Sequence, residues 1–198
     1  MRRLLASLCV ITSAALGVNP YFGVKAFTTA GGDLIPSNRT WANAVVGVRF
    51  PRTRTFAVNT ELTGTYVQQT DAFYNSNLWD ASLRFGAEFR FAAPDAYIMP
   101  GMMVAYASDR LPVWDTTAHK MSSRMFGGAG LGLFANLGVV LFRIGDWDFD
   151  VQCGADILSI GIDWVDPVDP GFAPWWHPSI DLSGLALGLV ARKGVSRE

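Results

Sequence analysis

The chain has 198 residues, half of them hydrophobic and only 17% charged, with 16 Lys+Arg against 17 Asp+Glu. That balance excludes a disordered, charge-rich polymer, and the near-neutral charge without a basic stripe gives no footprint for nucleic acid. Beyond the N-terminus no run of about 18 apolar residues occurs, which excludes membrane helices and leaves a large-cored soluble protein or a β-barrel.

Residues 1–17 read as a cleavable secretory signal helix. Arg2 and Arg3 precede the apolar stretch Leu4–Leu16, and Ala15-Leu16-Gly17 supplies small residues at a cleavage site. Cys9 sits too early, behind Leu8, for a lipoprotein anchor. Cleavage removes two arginines and no acid, which moves the net charge from −1 to −3 and leaves Cys153 as the one thiol. A disulfide framework is therefore not expected. Residues 18–198 form the second unit.

Along that unit polar and apolar residues alternate with a period of two, the signature of strands with two different faces. Weak alternation begins at Tyr21–Thr28. In Trp41–Phe50 the residues Ala42, Ala44, Val46, Val48 and Phe50 oppose Asn43 and Arg49. In Phe56–Tyr66 the residues Phe56, Val58, Leu62 and Tyr66 oppose Asn59, Glu61, Thr63 and Thr65. Trp79–Phe91 alternates without a break, with Asp80, Ser82, Arg84, Gly86, Glu88 and Arg90 on the polar face. Ala96–Ala107, Arg124–Phe142, Trp147–Ile157 and Ser179–Ala191 complete eight predicted strands, and the sixth and seventh are long enough that a fold-back of each, giving ten, stays open. In the seventh, Asp148, Asp150, Gln152, Gly154 and Asp156 oppose Trp147, Phe149, Val151, Cys153, Ala155 and Ile157.

The connections alternate in length. Pro51–Arg54, Ala92–Pro94 and Ile144–Asp146 are short; Thr29–Thr40, Gln69–Asn77, Asp109–Met121 and Val165–Pro178 are long and rich in turn formers. An antiparallel up-and-down meander with long loops at one end is the topology of an all-β, eight-stranded transmembrane barrel. Aromatic residues gather at strand ends. One end carries Tyr21, Phe50, Phe56, Phe91, Tyr97, Phe142 and Trp147; the other carries Trp41, Tyr66, Trp79, Tyr106, Phe126, Trp164 and Trp176. Trp41, Trp79, Trp147, Trp164 and Trp176 are thus expected as girdle residues at the bilayer interface. A soluble barrel shares the alternation with its apolar face turned inward, but gives no reason for this sorting.

These features resemble the small eight-stranded outer-membrane proteins of the OmpW, OmpX and OmpA-barrel type, over about Val18 to Ala191 and in architecture alone. The resemblance implies an outer-membrane location, partnership with the bilayer and the assembly machinery, and no cofactor. It also implies, for the OmpW type, passage of a small hydrophobic solute through a lateral opening. One departure is that such proteins close on an aromatic residue, whereas here the last strand runs into Arg192-Lys193-Gly194.

Within an eight-stranded wall the lumen admits side chains or one small ligand. Glu61 is expected opposite Arg84, in a lumenal charge cluster with Asp80, Glu88 and Arg90. Pairing of that kind plugs and rigidifies a barrel, because buried charges need partners. On the sixth strand Gly128, Gly130, Gly132 and Gly138 face inward and oppose a row of leucines and valines, so that sector reads as roomy and apolar. Pro100 lacks a ladder donor and is expected opposite Gly130, making a weak lateral seam; alternatively the glycines only make room for long side chains. Two function classes remain, a narrow channel for a small apolar solute and a plugged anchor or surface-interaction protein. An enzyme is not expected: His177-Pro178-Ser179 looks like the His-x-Ser spacing of lipid A deacylases, with Asp181 the nearest acid, but the match is short. Metal binding is not expected either, since the other histidine, His119, is isolated in a loop. The acidic, proline-stiffened stretch Val165–Gly171 reads as a solvated turn.

Overall fold

The computed structural model describes residues 18–29, 40–70, 75–91, 95–115, 119–161, 164–165 and 179–194. The expected signal sequence, Trp176 and His177 lie outside the described residues. Ten strands follow one another: β1 (Asn19–Thr29), β2 (Thr40–Pro51), β3 (Phe56–Thr70), β4 (Asn75–Phe91), β5 (Ala96–Asp115), β6 (Lys120–Ile144), β7 (Trp147–Gly161), β8 (Trp164–Val165), β9 (Ser179–Asp181) and β10 (Gly184–Lys193). Neighbours pair antiparallel, and the β1–β10 and β6–β7 ladders close the sheet on itself. Eight long strands, β1–β7 and β10, form the wall. The two short strands continue it: β8 pairs with Phe126 and Gly127 of β6, and β9 with the end of β7. Neither β6 nor β7 folds back on itself, so the wall stays at eight.

The register fixes the shape. Following paired positions from Asn19 through Arg49, Asn59, Gly86, Gly101, Phe134, Asp156 and Gly184 returns to β1 at Thr29, ten residues beyond the start. A stagger of ten residues over eight strands, with roughly 3.3 Å per residue and 4.8 Å between strands, sets a tilt of about 40° and a radius of about 8 Å. Each residue then climbs about 2.5 Å along the axis.

The turns have local causes. In the β2–β3 turn the N–H groups of Arg52 and Thr53 donate to the Phe56 carbonyl at 3.0 Å, and Thr53 Oγ1 accepts from the Phe56 N–H at 3.0 Å. In the β6–β7 turn Gly145 takes a φ of 58°, which a side chain would resist. At the opposite end β5 and β6 do not stop where expected. They pair from Ser108–Gly127 outward to Asp115–Lys120, so most of the predicted loop Asp109–Met121 is a paired hairpin. The Gln69–Asn77 connection is likewise shorter, since Thr70 pairs with Asn75.

Sidedness is the inverse of a soluble barrel. Phe22, Leu62, Phe85, Met102, Leu131, Leu133 and Leu187 are 43–78% exposed, while Lys25, Arg49, Glu61, Arg84, Glu88, Asp150, Asp156 and Arg192 are at most 5% exposed. An exposed apolar surface that encircles a monomer is a lipid-facing surface rather than a water-facing one. Outward Phe56 and Tyr66 lie ten residues apart on β3, which at this tilt spans about 25 Å, the height of a barrel's apolar band.

Candidate functional site

The inward residues of each strand meet in a lumen of about 8 Å radius, where charge must find charge. Glu61 and Arg84 stand directly opposite on β3 and β4, with Arg84 Nε 3.9 Å from Glu61 Oε1. Lys25 Nζ reaches the same carboxylate at 3.3 Å, and the Tyr21 hydroxyl donates to its other oxygen at 3.3 Å. The guanidinium of Arg84 then crosses the lumen to β7, donating to both oxygens of Asp156 at 3.1 and 2.5 Å. Asp80 sits in the adjoining layer, across from Thr65, which donates to Asn43.

Nearer the short turns Glu88 is the hub. It accepts from Arg49 Nε at 2.9 Å, Arg90 Nε at 2.7 Å, Arg192 Nη1 at 2.7 Å and Asn59 Nδ2 at 3.1 Å, and so ties β2, β3, β4 and β10 together. Arg192 also pairs with Asp150 at 2.9 Å, donates to the Tyr97 hydroxyl, and lies over the Tyr97 and Tyr21 rings. At the mouth, Asp148 joins Arg90 at 3.9 Å and Arg143 at 2.7 Å, and Arg143 pairs with Asp95. The five expected charges are therefore joined by Lys25, Arg49, Asp148, Asp150, Asp156 and Arg192. Strand parity could have placed each of these inward. No spacing in the chain pairs β4 with β7 across a lumen, so Arg84–Asp156 was not legible.

The glycine sector differs from the expectation. Gly128 is buried and Gly130 and Gly132 half-buried, but the space is filled. A Cβ at Gly138 would lie 2.0 Å from the Tyr97 ring, one at Gly132 would lie 3.0 Å from the Met103 methyl, and one at Gly101 would lie 2.6 Å from the Phe134 ring. The glycines are notches that receive rings and methionines from inside the lumen, so the sector is apolar without being roomy. Pro100 points outward and pairs with Ala135, not Gly130, whose partner is Ala105. The interrupted ladder is on the other side: β4 and β5 pair at Gly86–Gly101 and again at Phe89–Ile98, skipping Pro100. A proline has no N–H for that step.

The expected girdle also divides. Trp79 is 39% exposed on the outer wall against Tyr106, and Trp147 is half-buried against Phe22 at 5.5 Å. Trp41 is instead 7% exposed and packs inside on Phe27, with Tyr21, Tyr97 and Phe126 also turned inward. Trp41 shares the parity of Asn43, so alternation outweighs a preference for the interface. Trp164 pairs with Gly127 through the backbone. At the final strand Asp181 Oδ1 accepts from the Ser183 N–H at 2.8 Å, a local turn contact rather than a histidine partner.

Above the charges lies an apolar layer. Phe27, Trp41, Leu78, Leu158, Ile160 and Ile180, at the long-loop end of their strands, and Leu182, between β9 and β10, are at most 7% exposed. Between the two layers lies a void of about 10 Å³, lined by Trp41, Asn43, Asp80, Ser82, Arg84 and Asp156 among others, about the space of a single water. Among the described residues no group of His, Cys, Asp or Glu has the arrangement of a metal site.

An apolar outside, a charge-paired inside and eight staggered strands define the small outer-membrane barrel class of fold. Solved structures of that class are similar. The major outer-membrane protein of Thermus thermophilus aligns with a TM-score of 0.55 at 10% identity, covering 89% of this chain and 98% of that one. Neisserial surface protein A aligns at 0.53 and 10% identity, covering 90% and 97%, and the attachment invasion locus protein Ail of Yersinia pestis at 0.53 and 11%, covering 89% and 95%. At such identities the likeness is one of fold. No protein-family model and no curated protein matches the chain.

Proposed function

We propose that the protein is an outer-membrane anchor with a plugged lumen, exported by its residues 1–17 and inserted by the assembly machinery, that presents the β5–β6 hairpin as a surface for interaction. The observation that carries this reading is the filled interior. With about 10 Å³ free between the charged and apolar layers, the lumen at that level has no space for a solute molecule. Rigidity of this kind suits a pedestal, because contacts such as Arg84–Asp156, Arg49–Glu88 and Arg192–Glu88 join strands that would otherwise slide. The hairpin gives the pedestal something to hold: at about 2.5 Å of rise per residue, the seven pairs beyond Ser108–Gly127 extend roughly 17 Å past it.

The alternative, a narrow path for a small hydrophobic molecule through the β5–β6 sector, draws support from the ladder gap at Pro100. Filling of that sector by Phe134, Met99 and Met103 favours the anchor. Trypsin added to intact cells tests the reading. Cleavage in the hairpin, at Arg110, Lys120 or Arg124, and at Arg39 in the expected long loop Thr29–Thr40, with the wall strands protected, is the expected result, together with no uptake of apolar dye by liposomes carrying the protein. Protection of the hairpin, or rapid dye uptake, would overturn it.

A further inference from the structure

We propose that the outer wall carries a groove for one acyl chain of a glycerophospholipid, with the hydroxyls of Thr28 and Thr40 as its polar end. The groove has a volume of about 650 Å³ and crosses β5, β6, β7, β10 and β1 over the backbone of Asn136, Gly154 and Ala186. It exists because outward residues there are small. Ala135, Cys153 and Ala155 leave a furrow, while Leu137, Leu185 and Leu187, 47–68% exposed, stand along it. Four inter-strand steps of about 4.8 Å make it about 19 Å long. Half of a bilayer's hydrocarbon core is about 15 Å deep, so this length suits a chain from one leaflet. Because the strands tilt by about 40°, a path across them climbs about 12 Å toward the long-loop end. There Thr28 is the last outward residue of β1 and Thr40 the first of β2. Their hydroxyl oxygens lie 2.7 Å apart. That mutual bond uses one of the two hydroxyl hydrogens and leaves the pair a donor for an ester carbonyl.

The occupant follows from where the groove opens. It is continuous with the lipid-facing wall, and in lipid no hydrophobic force draws apolar surfaces together, so close packing and a polar handle must hold whatever fills it. A chain lying in the furrow touches protein on several sides instead of one. A second copy fits poorly. The groove wraps across five of the eight wall strands; a convex barrel meets another along a line, whereas a flexible chain follows the curve. Neither the plugged lumen nor the hairpin is needed for this site, so it stands apart from the anchor reading.

Native mass spectrometry of the full barrel in detergent, titrated with dipalmitoylphosphatidylcholine, reads it directly. Retention saturating at one lipid per barrel is expected. Ala135→Leu with Ala155→Leu fills the furrow and should weaken retention by about tenfold, with Ala155→Leu alone as a second filling variant. Thr28→Val with Thr40→Val should lower the parent's preference for the ester lipid over its dialkyl ether analogue, which lacks the carbonyl. Ala44→Leu, outward on β2 and away from the groove, should change nothing. Heat-modifiable gel migration checks that each barrel is closed. No saturable lipid, retention by folded groove-filled variants at the parent level, or equal loss with Ala44→Leu would overturn the site. So would a dimer that forms in the parent and is lost in the filled variants, which would give the groove to a second copy. Equal binding of ester and ether lipids by the parent would overturn the polar end.

Discussion

Replacing Glu88 by alanine should cost the barrel more stability than any other single change in the lumen. The carboxylate is fully buried and receives three guanidinium groups. After its removal Arg192 still has Asp150 at 2.9 Å and Arg90 still has Asp148 at 3.9 Å. Arg49, 2% exposed, is left with no carboxylate of its own among the described residues. Stranding a buried charge by deleting its partner costs roughly 3–5 kcal/mol. Glu61→Ala should cost less, because it breaks two ion pairs rather than three: Arg84 keeps its two-pronged contact with Asp156, while Lys25 and the Tyr21 hydroxyl lose their partner. The decisive comparison adds Arg49→Met to Glu88→Ala. Removing the stranded cation should recover about half the loss or more, since pairs replaced by apolar groups are often near neutral. Equilibrium urea unfolding from lipid vesicles, followed by tryptophan fluorescence, measures all four proteins. A Glu88→Ala loss under about 1 kcal/mol, or no recovery with Arg49→Met, would refute the idea that charge pairing holds these strands in register.

Other consequences follow from sidedness and packing. Phe85→Arg, midway up the outer wall, should destabilise the barrel in bilayers by about 2–4 kcal/mol, although arginine is the native residue one position earlier. Unfolding of that variant at the parent midpoint would argue against lipid contact at position 85. Gly138→Ala drives a methyl into the Tyr97 ring and should cost about 1–3 kcal/mol in the same unfolding assay, whereas Gly64→Ala, whose nearest neighbour would be 3.6 Å away, should be tolerated. Exposed Cys153 on the outer wall should react with a lipid-soluble maleimide and resist a charged one in intact vesicles; equal rates with both would place it in water.

The wall of the barrel was legible because the bilayer enforces it. Within the apolar band every outward position meets hydrocarbon and every inward one meets other side chains, so Trp79–Phe91 alternates without exception. Outside the band that contrast disappears. Asp109–Asp115 and Lys120–Phe126 pair as strands, and their sequence loses the period of two and reads as a loop. The same physics explains the short strands β8 and β9, which lie at the long-loop end, where the chain is no longer sorted by lipid. Pairing of Glu61 with Arg84 is readable because a hairpin's register follows from its turn. The register of β5 on β6 is not, because the expected loop Asp109–Met121 centres on Asp115, whereas the hairpin turns between Asp115 and Lys120. That offset moves Pro100 from Ala135 to Gly130.

Residue type misled where parity did not. Aromatic residues at strand ends suggested two interfacial rings, yet Tyr21, Trp41, Tyr97 and Phe126 all lie on the inward parity of their strands and fill the lumen. Their counterparts are the inward glycines: a Cβ at Gly47 would lie 2.3 Å from the Tyr21 ring, as one at Gly138 would strike Tyr97. A narrow barrel cannot hold a large side chain at every inward position, so bulk on one strand demands its absence on the next. Glycine and tyrosine on facing strands are thus one feature, and a row of inward glycines marks where a neighbour's ring lies rather than an empty path. By that reasoning Gly47→Ala should behave like Gly138→Ala, and pairing it with Tyr21→Leu, which removes the ring, should restore part of the lost stability. Additive losses in the double variant would show that the two positions do not share the same space.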